Sequence, residues 1–175
     1  MKYLILLVVL FANNVLADNQ QDIKTQIDNY YWQAARTGNI EMLEEFVNAK
    51  YDLNKQDSKG YSAIILSAYN GHYDAVKYLI EAGANPCLKD NRGNTALMGA
   101  IFKGEVKIAK LLTNTGCDVN ETNNMDQTPA MYAALFKRQE ILAELQNKGA
   151  DLTKVDKMGN AVENLAKGEI INNRH

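Results

Sequence analysis

The sequence predicts an all-α solenoid of four to five helix-turn-helix units, joined by short hairpin loops and capped at both ends. Three observations predict it. Gly38, Gly71 and Gly104 stand 33 residues apart, as do Gly83, Gly116 and Gly149. A third series, Gly60, Gly93 and Gly159, keeps the same step, with Asp126 in place of its missing member. Between these glycines lie short apolar segments of helical spacing, and a fixed period of this size is what stacked-repeat architectures leave in a sequence. One such helix pair cannot bury its own apolar face, so stability must come from stacking neighbours.

The chain opens on a leader that stands apart from the repeats. Met1-Lys2 is a short positive start, Tyr3 to Phe11 is almost wholly apolar, and Val15-Leu16-Ala17 precedes polar Asp18-Asn19-Gln20-Gln21. This pattern predicts a secretory signal peptide over 1–17, cleaved after Ala17, and a domain over 18–175 exported to the periplasm. The competing reading is a membrane anchor, which needs about 20 apolar residues. Asn13-Asn14 interrupts the run too soon for that. With Asp18 rather than a Cys directly after the cut and no twin Arg before it, lipid modification and folded-protein export are disfavoured.

Residues 24–56 form the first, irregular unit. They keep Ala34-Ala35-Arg36-Thr37-Gly38 and a helix from Ile40 to Asn48, with Tyr30, Tyr31 and Trp32 filling the first helix. The preferred reading is an aromatic cap over the end of the core; the alternative makes Trp32 a binding residue. In the second unit, Ala63 to Ala68 and Tyr73 to Ala82 read as helices, the latter with Ala75, Val76, Leu79 and Ile80 on one face. Gly71 and Gly83 close them, since glycine tolerates the left-handed conformation at a helix end. The third unit repeats this with Thr95 to Phe102 and Val106 to Asn114, the fourth with Thr128 to Phe136 and Glu140 to Asn147. Thr128-Pro129 is a helix start, in which the hydroxyl caps and the proline needs no donor. A partial fifth unit opens at Asp156, carries Ala161 to Ala166, and runs into a polar tail, Asn172 to His175, expected to fray.

The phased segments Asp57-Ser-Lys-Gly-Tyr-Ser-Ala-Ile, Asp90-Asn-Arg-Gly-Asn-Thr-Ala-Leu and Asn124-Met-Asp-Gln-Thr-Pro-Ala lead into Gly83-Ala-Asn-Pro, Gly116-Cys-Asp-Val-Asn and Gly149-Ala-Asp-Leu. Over roughly residues 24–170 this resembles the ankyrin-repeat family, whose pattern runs Asp-x-x-Gly-x-Thr-Pro-Leu-His, then Ala-Ala-x-x-Gly-His, then Gly-Ala-Asp. Two departures matter. Ile65, Met98 and Met131 replace the family's histidine, so apolar packing must substitute for its bonds. Lys137 stands in the phase of Gly38, Gly71 and Gly104, where a left-handed turn costs a non-glycine on the order of 1 kcal/mol.

Little in the chain suggests catalysis. His72 occupies a framework position of the repeat and His175 ends the chain, so neither a histidine metal site nor an acid-base pair is expected. No phosphate loop, nucleophile elbow or clustered His, Cys and carboxylate appears. Asp57, Asp90 and Asp156 recur in one phase, where a carboxylate accepts bonds from turn amides. Asn120-Glu-Thr122 has the form of a glycosylation sequon but ends a repeat loop. The chain carries 19 basic and 21 acidic residues; losing Lys2 with the leader leaves 18 against 21, a formal charge of −3. Scattered Lys and Arg exclude the basic stripe that nucleic acid requires. No cofactor and no enzyme activity are expected.

The cysteines are an even pair, which in an oxidising compartment invites a bridge. In the repeat register Cys117 follows a helix-ending Gly of the third unit and Cys87 lies where the chain crosses toward it. The two are expected to face each other and pair; the alternative is two buried thiols. A closed loop of about 30 residues stabilises by about 3.6 kcal/mol in the chain-entropy model.

The resemblance also implies where a partner binds, on the hairpin tips and the ends of the first helices. Projected onto this chain, those positions give Tyr69, Phe102 and Phe136 as anchors, with Lys59, Tyr61, Arg92, Lys103 and Met125 around them. Aromatics and Arg dominate binding hot spots; the alternative folds these rings back into the core. The implied function is an exported, monomeric protein-binding module. Similar exported bacterial ankyrin proteins accompany stress enzymes such as catalase, and others act as inhibitors or immunity partners. A small-ligand carrier, for haem as an example, is disfavoured for want of a His or Met pocket.

Overall fold

Hydroxyl caps start the inner helices at the same phase in three successive repeats. Ser62, Thr95 and Thr128 accept from the backbone nitrogens of Ile65, Met98 and Met131 at 3.3, 3.3 and 3.2 Å, satisfying amides that a helix start leaves without partners. Pro129 follows Thr128 as the first helical residue. The computed structural model in which these contacts are seen describes residues 2–172, with side chains from Gln20 onward. The leader falls outside the residues with described side chains, and the end of the expected frayed tail, 173–175, lies outside the described residues.

Nine helices occur among the described residues: α1 (Lys2–Thr37), α2 (Ile40–Asn48), α3 (Ala63–Tyr69), α4 (Tyr73–Glu81), α5 (Ala96–Lys103), α6 (Val106–Thr113), α7 (Pro129–Leu135), α8 (Gln139–Asn147) and α9 (Val162–Lys167). The inner layer stacks α1, α3, α5, α7 and α9 in order, and the outer layer α2, α4, α6 and α8. The core runs between them. Ala68, Val76, Leu79, Met98, Ile101, Ile108, Met131, Ile141 and Leu145 are fully or almost fully buried. Met98 and Met131, with Ile65, thus do pack where the family carries histidine.

Helix ends follow the glycine phase. Gly71 and Gly104 take φ of 79° and 81°, and Lys137 holds the same left-handed conformation at 55° despite its side chain. Asp126, at 61°, likewise stands in for the missing loop glycine, and Lys50, at 54°, occupies the phase of Gly83 one repeat earlier.

The first repeat is capped by one aromatic cluster. Tyr31 is fully buried, with its ring 5.0 Å from Phe46 and 4.8 Å from Tyr51. Its hydroxyl donates to the Leu53 carbonyl at 2.9 Å. Trp32 donates to the Lys55 carbonyl at 3.2 Å and packs on the same core, as a cap does. Tyr30 corrects the expectation: it is 60% exposed, because successive residues on a helix point about 100° apart and three in a row cannot share one face. At the other end, residues 169–171 fold back, and Asn160 accepts from the Ile171 nitrogen at 2.7 Å and donates to its carbonyl at 3.1 Å.

The loops interlock in a repeating pattern. The Asp57 and Asp90 carboxylates each accept two amides of their own turn at 2.8–2.9 Å, and Asp156 does the same. In the fourth repeat Asn123 takes this role, one residue before the Asn124 that opens the sequence motif. Successive tips are then joined backbone to backbone: Asn91 to Lys59, Asn124 to Arg92, and Lys157 to Met125, at 3.0, 2.9 and 3.0 Å. Cys87 and Cys117 form a disulfide with their Cα atoms 5.5 Å apart. The alternative of buried thiols fails, since Cys87 is exposed and Cys117 half-buried.

Candidate protein-binding face

Inner helix α3 ends on a ring, α5 carries one at its penultimate residue, and α7 is followed by one. Tyr69 and Phe102 lie nearly parallel, their planes 10° apart and centroids 6.0 Å apart. Phe136 meets Phe102 edge-on at 5.0 Å. Tyr69 is 44% and Phe102 42% exposed. Phe136 corrects the expectation of three equally exposed anchors: it is half-buried, packed on Tyr132 at 5.9 Å. The Lys103 ammonium sits 5.0 Å over the Tyr69 ring, a cation held by the negative face of the aromatic system.

Beside this row, in the angle between inner helices and hairpin tips, lies a groove of about 300 Å³. Tyr69 and Phe102 wall it, Ile65, Met98 and Gly99 are among the helix residues that line it, and Tyr61, Arg92, Asn94 and Tyr132 close its tip side. Of the residues singled out in the sequence, the groove therefore gathers Tyr61, Tyr69, Arg92 and Phe102. Lys103 joins them over Tyr69. Lys59 and Met125 stand on the tips outside the lining, Met125 being 43% exposed.

Sequence reasoning missed Gly99 and Tyr132. The Tyr132 hydroxyl donates to Asn94 Oδ1 at 2.9 Å, and Asn123 donates to the same oxygen at 2.9 Å. Burial pushes the Tyr132 phenol up from its usual value, so it stays a neutral donor. A signal was present: Leu66, Gly99 and Tyr132 share one phase of the 33-residue step, and a change of size along that phase marks a hollow.

The charges round the groove are sorted. Arg36 pairs with Asp57 at 2.9 Å, and His72 Nε2 bonds the Arg36 carbonyl oxygen at 2.8 Å, so the histidine is spent on joining repeats. Asp90 is occupied by its own turn. Among the described residues no group of three His, Cys, Asp or Glu is placed to hold a metal ion. No helix of those residues is long and apolar enough to cross a membrane. What the face offers is rings, a hollow and cations, the makings of a contact surface.

A family description of ankyrin repeats, three copies, matches residues 31–123 and 88–156. The chain belongs to the ankyrin-repeat family. Among its relatives, ankyrin repeat domain-containing protein 29 of Danio rerio is 35% identical over 63 residues, covering 35% of this chain and 21% of that protein. Ankyrin repeat domain-containing protein 39 of Homo sapiens is 34% identical over 53 residues, 30% of this chain and 29% of the relative. Ankyrin repeat and SAM domain-containing protein 6 of Rattus norvegicus is 39% identical over 56 residues, 31% of this chain and 6% of the relative. The matches thus span less than a third of each relative. Ankyrin repeats are in general protein-interaction modules.

Proposed function

We propose that this ankyrin stack is an exported, non-enzymatic protein, monomeric on its own, that holds a partner protein against the ring row and hairpin tips. The observation that carries the reading is the pair Tyr69 and Phe102, more than two-fifths exposed beside an open apolar groove. Large rings left in water forfeit burial energy that a partner's surface would recover, at roughly 25 cal/mol per Å². A ring centre with a cationic rim is the usual anatomy of a protein interface. Export is supported by the apolar leader over 1–17 and by the accessible Cys87–Cys117 bridge, since such bridges persist in oxidising compartments. An accessory role beside a stress enzyme such as catalase and an inhibitory role both use such a face; they separate on whether the bound enzyme gains or loses activity.

The test is a titration of Tyr69→Ala and Phe102→Ala against the captured partner, with thermal melting of each variant. Each substitution should weaken the complex by about 2 kcal/mol or more while the melting point hardly moves. Sharply lowered melting points with unchanged affinity would place the rings in the core and end the proposal. Mass spectrometry of the exported protein should find Asp18 at its N-terminus; an intact Met1 in a soluble cytoplasmic form would remove the export part alone.

A further inference from the structure

Gly99 is the exception among the glycines. Ten glycines of the chain take positive φ and are needed for their turns. Gly99 sits inside α5 with ordinary helical backbone, where glycine only weakens the helix relative to alanine. A Cβ placed there would meet one atom, Tyr69 Cδ2, at an ordinary 3.8 Å. Neither backbone conformation nor crowding explains the residue. Its phase does: Leu66 and Tyr132 hold the same position in the repeats on either side, and the groove opens between them. The third repeat leaves out the side chain that its neighbours supply.

We propose, on the reading of this face as a protein-binding surface, that the Gly99 hollow is a specificity slot for a partner segment of defined chemistry. The segment is extended, places one large aromatic or branched apolar side chain over Gly99 against the Tyr69 and Phe102 rings, and carries carboxylates on both sides of it. Charge complementarity fixes the second half of that description. Arg92 lines the slot on its tip side and Lys103 lies over its Tyr69 wall. Neither has a carboxylate partner among the described residues, where the ion pairs of the face are made by Arg36 with Asp57. Asp90, the acid in the lining, already accepts two amides of its own turn, and Glu105 turns its carboxylate onto the Gly71 loop. Two unpaired cations therefore bracket an apolar hollow whose one acid, Asp90, is tied into its own turn, so the local balance of charge favours an acidic segment over a basic one.

The experiment uses the full disulfide-bonded chain and four labelled heptapeptides with blocked ends: a central Phe flanked by two Glu on each side, the same with Ala for Phe, with Gln for every Glu, and with Lys for every Glu. Binding is read by fluorescence anisotropy and by shifts of the Gly99 and Arg92 amide signals. The Glu-Phe peptide should bind at least tenfold tighter than each of the others and move both signals. Gly99→Leu should abolish that binding, and Arg92→Glu with Lys103→Glu should transfer preference to the Lys peptide. Gly99→Ala, which the spacing to Tyr69 accommodates, should keep the fold and weaken binding, so loss in the leucine variant is not read as misfolding. Equal binding of the Gln or Lys peptide, or no movement of Gly99 with any peptide at millimolar concentration, overturns the proposal. Failure of the slot is distinguishable from failure of the protein-binding face. A captured partner released by Tyr69→Ala but indifferent to Gly99→Leu and to the Glu-Phe peptide rejects the slot and leaves the face standing.

Discussion

Asp28 is the residue on which the first repeat's polar contacts converge. It is almost fully buried, yet it accepts from the Tyr51 hydroxyl at 2.5 Å and from Lys55 Nζ at 2.6 Å. Burial pushes its carboxyl up, but the bonds from Lys55 and Tyr51 outweigh that and hold it below the usual carboxylate range. A depressed folded value means the contribution is present above the unfolded pKa, about 3.9, and is lost as pH falls through the folded one. Asp28→Asn should therefore cost roughly 1.5–3 kcal/mol at neutral pH. The gap to the parent should close in acid. Urea titrations between pH 7 and 2 read both values, and a gap that stays constant with pH would mean the cost is lost packing. The same scale shows what the sequence hid. Tyr30 and Tyr31 are equivalent as letters, and the orientation of α1 against α2 and α3 decides that one is exposed and the other is core. Phe136 differs from Phe102 because it stands one residue past the phase of Tyr69 and Phe102, which Leu135 holds, and packs on Tyr132 one turn back.

At the scale of elements, repetition made the fold legible and substitution within the repetition made the site legible only in part. The glycine phases located the turns of the first four repeats, though not the one at Gly168 that ends α9, and α2 begins and ends at the residues the pattern indicates. The groove escaped because its cause is a missing side chain: Gly99 breaks the run of Leu66 and Tyr132 in one phase but belongs to no motif of the repeat. The loop staples show the same logic at Cys87. Asn54 and Asn120, 33 residues to either side, accept from the backbone nitrogens of Asn85 and Asp151 in the next repeat at 2.7 Å each. At the interface between them the side-chain bond is replaced by the covalent bridge to Cys117. Asn120 is thereby committed to holding repeats together, which argues against a sugar on that side chain. Reducing the bridge, or Cys87→Ser with Cys117→Ser, should lower stability by about 3.6 kcal/mol, a fall in melting point of about 10 °C. Asn54→Ala should cost only about 0.5–1.5 kcal/mol, the net value of a hydrogen bond whose exposed amide partner water can take over. Thiol labelling of the denatured, unreduced protein should find neither cysteine free; full labelling of both would remove the bridge and the larger effect with it.

The whole molecule is a row in which each repeat touches only its neighbours, so its stability should vary along the row rather than belong to it uniformly. The N-terminal end is closed by the Tyr31, Phe46 and Tyr51 cluster and by the Asp28–Lys55 pair. The middle is held by neighbours on both sides and by the disulfide, which joins the second and third repeats. The C-terminal end is slighter. α9 is a six-residue helix packed on α7, with Val162 and Leu165 as its buried residues and Asn160 tying down the returning chain at Ile171. Native-state hydrogen exchange should accordingly find α9 opening first, with free energies roughly 2 kcal/mol or more below those of α3 and α5. Reduction of the disulfide should lower protection in α4, α5 and α6 and leave α9 where it was. The proposed binding face spans α3, α5 and α7, on the part of the row expected to be most protected, so a partner would meet it already ordered, which would limit the entropy lost on association. Exchange at one free energy throughout would show a single cooperative unit, and the gradient along the stack would then be wrong.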